Sequence, residues 1–287
     1  YKLRKNMIIW LASYPKSGNT WLRSLLSSYY FSPDGNFDFN LLNNIEQFPA
    51  PKYFKDVLDK IVNPEDYSKY WIQKQIEINN DKKLRFFKTH AAMCKINDKP
   101  FTDNKNTLGA IYIVRDPRNL ITSLSHHFQL NLEESLEFMK SERKVLGERE
   151  KTDFKTFVPI FSWRFHIKTW SENKLFKTII IRYEDLTNET FYTFKRVIEF
   201  INKITNSKQK FNKEKAKKVI INCEFKKLQD LEKKRGFSEA MTKKNSKEKI
   251  NFFNLGKENN YKKLLKESFI IKMNDLFQEE LVKYNYE

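Results

Sequence analysis

Four short apolar or β-branched segments, each followed by a polar cluster, constrain the fold of this chain most strongly. They span residues 7–12, 84–88, 110–114 and 178–181. Runs without polar alternation are typical of strands buried on both faces, as in a parallel sheet covered by helices. Longer stretches with helical periodicity separate the segments, and the clearest of these are 20–30, 117–130, 154–170 and 189–204.

This alternation predicts an α/β fold of three layers, with a central parallel β-sheet and helices on both faces. Ligands bind outside the carboxyl ends of the strands in such sheets, so the polar clusters mark the expected site. Because no internal repeat or Gly/Ser-rich linker interrupts the chain, we interpret residues 1–287 as a single domain. We expect an irregular loop over 49–64, a helix near 66–78 and a mobile surface loop over 232–249.

Composition narrows the classes of function. The chain is 40% hydrophobic and 15% aromatic, which favours a folded core over disorder. Its longest apolar run, 7–12, is too short for a membrane span or a secretory signal. Cys94 and Cys223 do not form a disulfide framework, and the four histidines lack metal-ligand spacing. We therefore expect a cytoplasmic protein without a membrane span and without a bound metal.

The net charge favours anionic partners. The chain has 54 Lys and Arg against 36 Asp and Glu, a formal charge of +18, with a local surplus over 201–250. Nucleotides, nucleic acid and anionic membranes all suit such a surface. Solvated lysine-rich helix faces explain much of the surplus equally well. Since no helix-turn-helix or RNA-binding motif is present, nucleic acid is not the partner we expect.

The first polar cluster, YPKSGNTW at 14–21, predicts a P-loop-like phosphate-binding loop after the first strand. A tight loop opening a helix presents free N–H groups and the positive end of the helix dipole to an anion. Gly18 allows close backbone approach, and Lys16 adds a mobile cation. Side chains that can cap the helix or donate to phosphate oxygens are Ser17, Asn19 and Thr20. In a nucleotide-triphosphate loop the Lys follows the Gly, so the order here disfavours an ATPase or nucleotide kinase.

The second cluster joins a basic strand end to a capped helix. Arg115 ends the third predicted strand, and Asp116 with Pro117 provides an N-cap and a first helical residue. Ser123 lies eight residues after Arg115, in the second turn of that helix. An arginine fork and a serine hydroxyl can both reach one phosphate. Pairing of Arg115 with a carboxylate is the alternative interpretation.

The third cluster, FKTH at 87–90, places His90 just past the second predicted strand. An imidazole there can act as a general base, because it titrates near neutral pH. A structural hydrogen bond is the alternative role for a lone histidine. We interpret His126, His127 and His166, which fall in predicted helices, as packing or surface residues.

Taken in order, YPKSGNTW, FKTH and IYIVRDPRNLITS resemble the sulfotransferases that use 3′-phosphoadenosine 5′-phosphosulfate (PAPS). The resemblance is to the cytosolic-type domain and extends over nearly the whole chain. It implies that the loop over 16–21, including Trp21, holds the 5′-phosphosulfate. It also implies that Arg115 and Ser123 bind the 3′-phosphate and that His90 is the catalytic base.

The resemblance continues in the C-terminal half. RYED at 182–185 implies an adenine-side contact for Tyr183, and Cys223-Glu224-Phe225 sits where the family has another such contact. Trp21 and Phe225 can stack on adenine or simply belong to the core. The segment FFNLG at 252–256 sits where the family reads F-x-R-K-G, so Asn and Leu replace its Arg-Lys pair. The cofactor-side residues implied here are Phe252, Gly256 and Lys257.

The implied reaction is in-line transfer of a sulfuryl group from PAPS to a hydroxyl or amine, with adenosine 3′,5′-bisphosphate (PAP) as product and no metal. Lys16 would stabilise the leaving oxygen and His90 would take the proton. Lys88 either assists at the sulfuryl oxygens or points away along its strand.

The acceptor is the least constrained part of this interpretation. Loops over 31–80, 128–160 and 232–250 are rich in Phe and Tyr, which favours a small molecule in an aromatic-lined cleft. The lysines favour an acidic acceptor or a sugar instead. Two other functions stay open, namely a P-loop nucleotide kinase and a non-enzymatic binder of nucleic acid or a polyanion. The animal enzymes' short C-terminal dimer motif has no clear copy here, so the oligomeric state is open.

Overall fold

The computed structural model describes residues 7–146, 156–244 and 246–286. The strands are β1 (Ile8–Ser13), β2 (Glu46–Gln47), β3 (Arg85–Thr89), β4 (Lys95–Ile96), β5 (Lys99–Pro100), β6 (Thr107–Val114), β7 (Val145–Leu146), β8 (Val158–Pro159) and β9 (Lys177–Arg182). Five of them form a parallel sheet in the order β2-β3-β1-β6-β9. Two short antiparallel pairs, β4-β5 and β7-β8, lie outside it.

Helices connect and cover the strands. They are α1 (Asn19–Phe31), α2 (Trp71–Asn79), α3 (Pro117–Phe128), α4 (Leu132–Lys140), α5 (Trp163–Ser171), α6 (Tyr183–Asn188), α7 (Thr190–Thr205), α8 (Lys213–Asn222), α9 (Phe225–Arg235), α10 (Tyr261–Leu264) and α11 (Glu267–Lys283). Sequence-local signals set several of these boundaries. The Asp116 carboxylate accepts a hydrogen bond from the Arg118 amide ahead of α3, with Pro at the first helical position.

The two faces of the sheet pack against different sets of helices. Side chains alternate along a strand, so Trp10 and Tyr112 face one cluster of buried residues while Ile9 and Ile111 face another. The first cluster includes residues of α3, α4, α5 and α11, and the second includes residues of α1, α7 and α8. The predicted three-layer α/β fold is therefore confirmed, and all four predicted strands are present as β1, β3, β6 and β9.

Two predicted helix boundaries differ from the structure. The helix expected over 154–170 begins at Trp163, because the Ser162 hydroxyl caps it by accepting from the Phe165 amide. Positions 154 and 155 lie outside the described residues, and Val158–Pro159 is strand. The helix expected near 66–78 is a 3₁₀ segment, Pro64–Tyr70, that runs into α2. The loop expected over 49–64 contains the 3₁₀ turns Pro51–Tyr53 and Lys55–Lys60.

The surface loop expected over 232–249 is wrong in its first part. Helix α9 continues to Arg235, and the Glu232 carboxylate accepts hydrogen bonds from the amides of Phe252 and Phe253. Glu239 forms ion pairs with two buried cations. Glu232 and Glu239 are thus used inside the protein, whereas Glu248 in the same stretch is exposed and pairs with Lys243.

No helix in the described part of the chain has the length and apolar character needed to cross a membrane.

Candidate functional site

A cavity of about 590 Å³ lies where β1, β3 and β6 end. Most of the residues singled out from the sequence line it, although they come from distant parts of the chain. These are Lys16, Gly18, Asn19, Thr20, Trp21, Lys88, His90, Arg115, Ser123, Tyr183, Phe225, Phe252 and Gly256. Two expected members do not line it: Ser17 is fully buried, and Lys257 is exposed outside the cavity.

The loop after β1 has the geometry of an anion site. Gly18 adopts a left-handed φ of 101° as the N-cap of α1. A Cβ at this position would lie 2.4 Å from the Tyr183 ring, so both the backbone conformation and the space require glycine. The side-chain amide of Asn19 donates from Nδ2 to the Leu11 carbonyl at 2.9 Å and connects the loop to β1. The buried Ser17 hydroxyl has no hydrogen-bond partner among the described residues.

His90 is held as a neutral base. Its Nδ1 lies 2.8 Å from the Ser13 carbonyl oxygen, so Nδ1 carries the proton and Nε2 is left as an acceptor. Burial, together with the nearby Lys88 cation, lowers the pKa of His90 to about 3. The imidazole is therefore unprotonated at neutral pH, as a general base must be.

A buried hydrogen-bond chain fixes the backbone at this histidine. The Tyr112 hydroxyl donates to His166 Nδ1 at 2.8 Å, and His166 Nε2 donates to the His90 carbonyl at 3.0 Å. Since His166 is fully buried, it packs in the core as the sequence indicated. His127 differs from that expectation, because it lines the cavity beside the Phe252 ring.

Lys16 and Arg115 bring positive charge to the cavity. Burial and the cations of Arg115 and Lys88 lower the pKa of Lys16 to about 7, and its Nζ lies 3.6 Å from the centre of the Phe252 ring. Arg115 donates to the Lys16 carbonyl at 2.9 Å and stacks over Tyr183 at 4.2 Å. Among the described residues Arg115 forms no ion pair within 4 Å, although its charge acts on the buried Glu184 carboxyl, and its Nε has no hydrogen-bond partner.

Glu239 and Arg23 are site residues that the sequence did not reveal. The Glu239 carboxylate accepts from Arg23 at 2.5 Å, from Lys88 at 2.7 Å and from the Thr20 hydroxyl at 3.3 Å. Burial opposes ionisation of Glu239, but Lys88 and Arg23 hold its pKa well below the usual range. The contact joins residues 216 positions apart, so no local pattern could have signalled it.

The cavity also has an aromatic wall near the C-terminal segment. Trp21 donates from its indole nitrogen to the Cys223 carbonyl at 2.9 Å. Gly256 has a φ of 56°, and a Cβ there would lie 2.6 Å from the Phe225 ring. The glycine therefore lets the chain pass directly against an aromatic face that lines the cavity.

The rest of the cavity wall is mainly apolar. Side chains from the ends of α3 and α4 and from β7 contribute Phe128, Phe138, Val145 and Leu146, and Met241 follows Glu239. This wall and the polar residues described above line the same cavity. No group of three or more His, Cys, Asp or Glu side chains in the described ranges is arranged to hold a metal.

Comparisons with known proteins agree with the residues gathered at this site. The family model for the sulfotransferase domain matches residues 7–285. A luciferin sulfotransferase of Photinus pyralis is 23% identical over 286 residues, which cover 96% of this chain and 71% of the relative. An amine sulfotransferase of Oryctolagus cuniculus is 26% identical over 68% of this chain, and the chain spans only 56% of that relative's length.

A solved structure shows the same fold. It is a retinol dehydratase in complex with androsterone and the inactive cofactor PAP, with a TM-score of 0.61 and 17% sequence identity. The similarity covers 96% of this chain and 80% of that one.

Proposed function

Since the chain belongs to the sulfotransferase family and is a PAPS-dependent enzyme, we propose that it sulfates a hydroxyl or amine of a small, largely apolar acceptor. The observation that carries the proposal is the meeting, in one cavity, of a neutral His90 with an anion-binding loop and an apolar wall. A base beside a cationic anion site is the arrangement that group transfer to a hydroxyl or amine needs.

The residues present fit an anionic donor such as PAPS, which supplies the activated sulfuryl group and leaves as PAP. Arg115 lines the cavity, and its buried Nε has no hydrogen-bond partner among the described residues. An anion with several acceptor oxygens would satisfy such a group. Lys16 and Lys88 line the same cavity and would compensate the negative charge of such an anion.

His90 would accept the proton of the attacking hydroxyl or amine at Nε2. Its Nδ1 bond to the Ser13 carbonyl fixes both the tautomer and the ring orientation. Because burial keeps the imidazole neutral, it needs no prior deprotonation at neutral pH.

Lys16 would stabilise the negative charge that develops on the leaving oxygen. Its lowered pKa, about 7, means that a nearby anion would increase the fraction carrying a proton. The loop N–H groups at the start of α1 would bind the 5′-phosphate side, and Arg115 with Ser123 would bind the 3′-phosphate.

The acceptor would lie against the apolar wall. Phe128, Phe138 and Leu146 offer flat and branched surfaces, which suit an aromatic or alicyclic molecule more than a sugar. The relatives named for luciferin and amine sulfation are consistent with a small acceptor that carries a hydroxyl or amine.

Calorimetric binding of PAP, with ATP and 5′-AMP as comparison ligands, tests the donor site. We expect PAP to bind at least about 10-fold more tightly than either comparison ligand, because only PAP has the 3′-phosphate that Arg115 would hold. Arg115→Ala should remove most of that difference, whereas Arg235→Ala, an exposed arginine paired with Asp38, should leave it unchanged. Equal binding of ATP and PAP would instead favour the nucleotide-kinase alternative.

A further inference from the structure

We propose that Glu239 is a positioning residue for sulfuryl transfer, holding Lys88 charged and fixed at the cavity wall. The inference rests on the proposed function and adds a residue that neither the motifs nor the comparisons assign. It concerns the Glu239 cluster, which we define as Glu239 with Arg23, Lys88 and Thr20.

The cluster uses both oxygens of one carboxylate. Oε1 accepts from Arg23 at 2.5 Å, and Oε2 accepts from Lys88 at 2.7 Å and from Thr20 at 3.3 Å. Lys88 and Arg23 are only 4% and 7% exposed. Buried cations of this kind require a close anionic partner, because their own hydration has been removed. Among the described residues, Glu239 is the carboxylate paired with each of them.

Lys88 has hydrogen-bonding capacity beyond this pair. An ammonium group has three N–H donors, and Glu239 accepts from one of them. Lys88 also lines the cavity that contains His90 and Lys16, so its remaining donors are available to an anion there. The Glu239 carboxylate thus fixes one side of the ammonium group while the other stays free for the sulfuryl oxygens.

The charges around Lys88 explain why the carboxylate is needed. Burial lowers the pKa of Lys88, Arg23 lowers it further, and Glu239 raises it. Without Glu239, desolvation and cationic repulsion would favour a neutral amine, which cannot compensate a sulfuryl group's charge. Outside the cluster, Lys16 in the loop, His90 after β3 and His127 on α3 interact electrostatically with Lys88 and Glu239, and Glu46 on β2 interacts with Arg23.

A competing role for Glu239 makes the opposite prediction. Its carboxylate occupies donors of Thr20 and Lys88 that an anionic ligand could use. If Glu239 served to block the site until the donor displaced it, neutralising it would tighten PAP binding and raise turnover. A positioning role predicts lower turnover and an altered pH dependence.

The test measures kcat against pH at saturating PAPS and acceptor, with PAP affinity measured in parallel. We expect Glu239→Gln to lower kcat at least about 10-fold and to move the alkaline limb down by about one pH unit or more. The sign follows because Lys88 then loses its proton at lower pH. Glu239→Asp keeps the negative charge and should shift the alkaline limb by an intermediate amount. This variant replaces Glu239→Gln in the experiment if Glu239→Gln does not fold. Glu248→Gln, an exposed glutamate paired with Lys243, should match the wild type.

Glu239 also raises the pKa of Lys16, so a second pair of variants is needed to distinguish an effect on Lys88 from an effect on Lys16. In Lys88→Arg, residue 88 stays charged at all working pH values. When Glu239→Gln is added to Lys88→Arg, the alkaline limb should shift by less than half as much as it does when Lys88 is present. An equal shift would assign the effect to Lys16 and overturn the proposal. An unchanged profile in Glu239→Gln, or tighter PAP binding with faster turnover, would also overturn it. A wild-type protein that transfers nothing from PAPS would remove the proposed function itself, and this inference with it.

Discussion

At the residue scale, the role of His90 depends on what surrounds each of its ring nitrogens. The Ser13 carbonyl occupies Nδ1, so a replacement that removes the ring removes the Nε2 acceptor that His90 would use as a base. We predict that His90→Ala lowers kcat by on the order of 10²- to 10⁴-fold. PAP affinity should change by less than about threefold, because the proposed donor contacts come from other residues. Single-turnover transfer and PAP calorimetry separate these effects, and a parallel loss of both would indicate a structural role.

The lowered pKa values of His90 and Lys16 predict an unusual pH profile. A base must be unprotonated, and the pKa of His90 is about 3, so it adds no acid limb near pH 6.5. In its proposed role Lys16 must be protonated, and its pKa is about 7, so activity should fall as the pH rises above neutrality. We expect kcat/KM for PAPS, which reports the free enzyme, to be flat from about pH 5 to 6.5 and to decline above about 7. An acid limb near 6.5 would show that His90 is solvated like a free imidazole.

The site residues that could be predicted from the sequence are those that lie close to a recognisable strand. His90 and Arg115 directly follow buried strands and Lys16 lies three residues after another, and the carboxyl ends of neighbouring parallel strands meet at one edge of the sheet. Their meeting is therefore a consequence of strand pattern and order. Glu239 carries no such signal, because its partners are set by how the segment after α9 folds back across α1.

At the element scale, buried strands were more predictable than helix starts. The apolar or β-branched runs predict β1, β3, β6 and β9 to within a few residues, although Arg85 and Lys88 stand within the run that becomes β3. Periodicity over 154–170 did not locate the N-cap of α5, which depends on the Ser162 hydroxyl. Two-residue strands such as β2 and β7 carry too little pattern to be recognised.

The close packing of Gly256 against the Phe225 ring gives a second prediction at the element scale. Gly256→Ala introduces a Cβ 2.6 Å from that ring, so the ring or the segment must move away from the cavity wall. We expect PAP affinity to fall at least about 10-fold. Gly236→Ala is the control for backbone strain, because Gly236 also has a positive φ, 70° with a ψ of 174°, that disfavours alanine while nothing lies within 4 Å of the added Cβ. Calorimetry should show weaker binding only for Gly256→Ala, and an equal loss in both variants would attribute the effect to backbone strain.

At the scale of the whole molecule, the buried hydrogen bonds that support the site also set the response to acid. His166 is fully buried, and burial lowers its pKa to about 4 although its bond to the His90 carbonyl favours the charged form. The unfolded chain takes up this proton near pH 6.5, whereas the folded protein does so only near pH 4. Unfolding therefore binds an extra proton in that window, and the free energy of unfolding must fall as the pH is lowered through it.

Urea unfolding at pH 7, 6 and 5 measures this dependence. One such histidine contributes a slope of roughly 1.4 kcal/mol per pH unit below pH 6.5, and His90 and His127, with pKa values lowered to about 3, act in the same direction. His166→Gln should destabilise the protein at pH 7, because Tyr112 loses its partner, yet its stability should depend less steeply on pH. If the free energy of unfolding depended equally on pH in the two proteins, His166 would be protonated in the folded state. A charged imidazole would then take part in the hydrogen-bond chain to the His90 carbonyl.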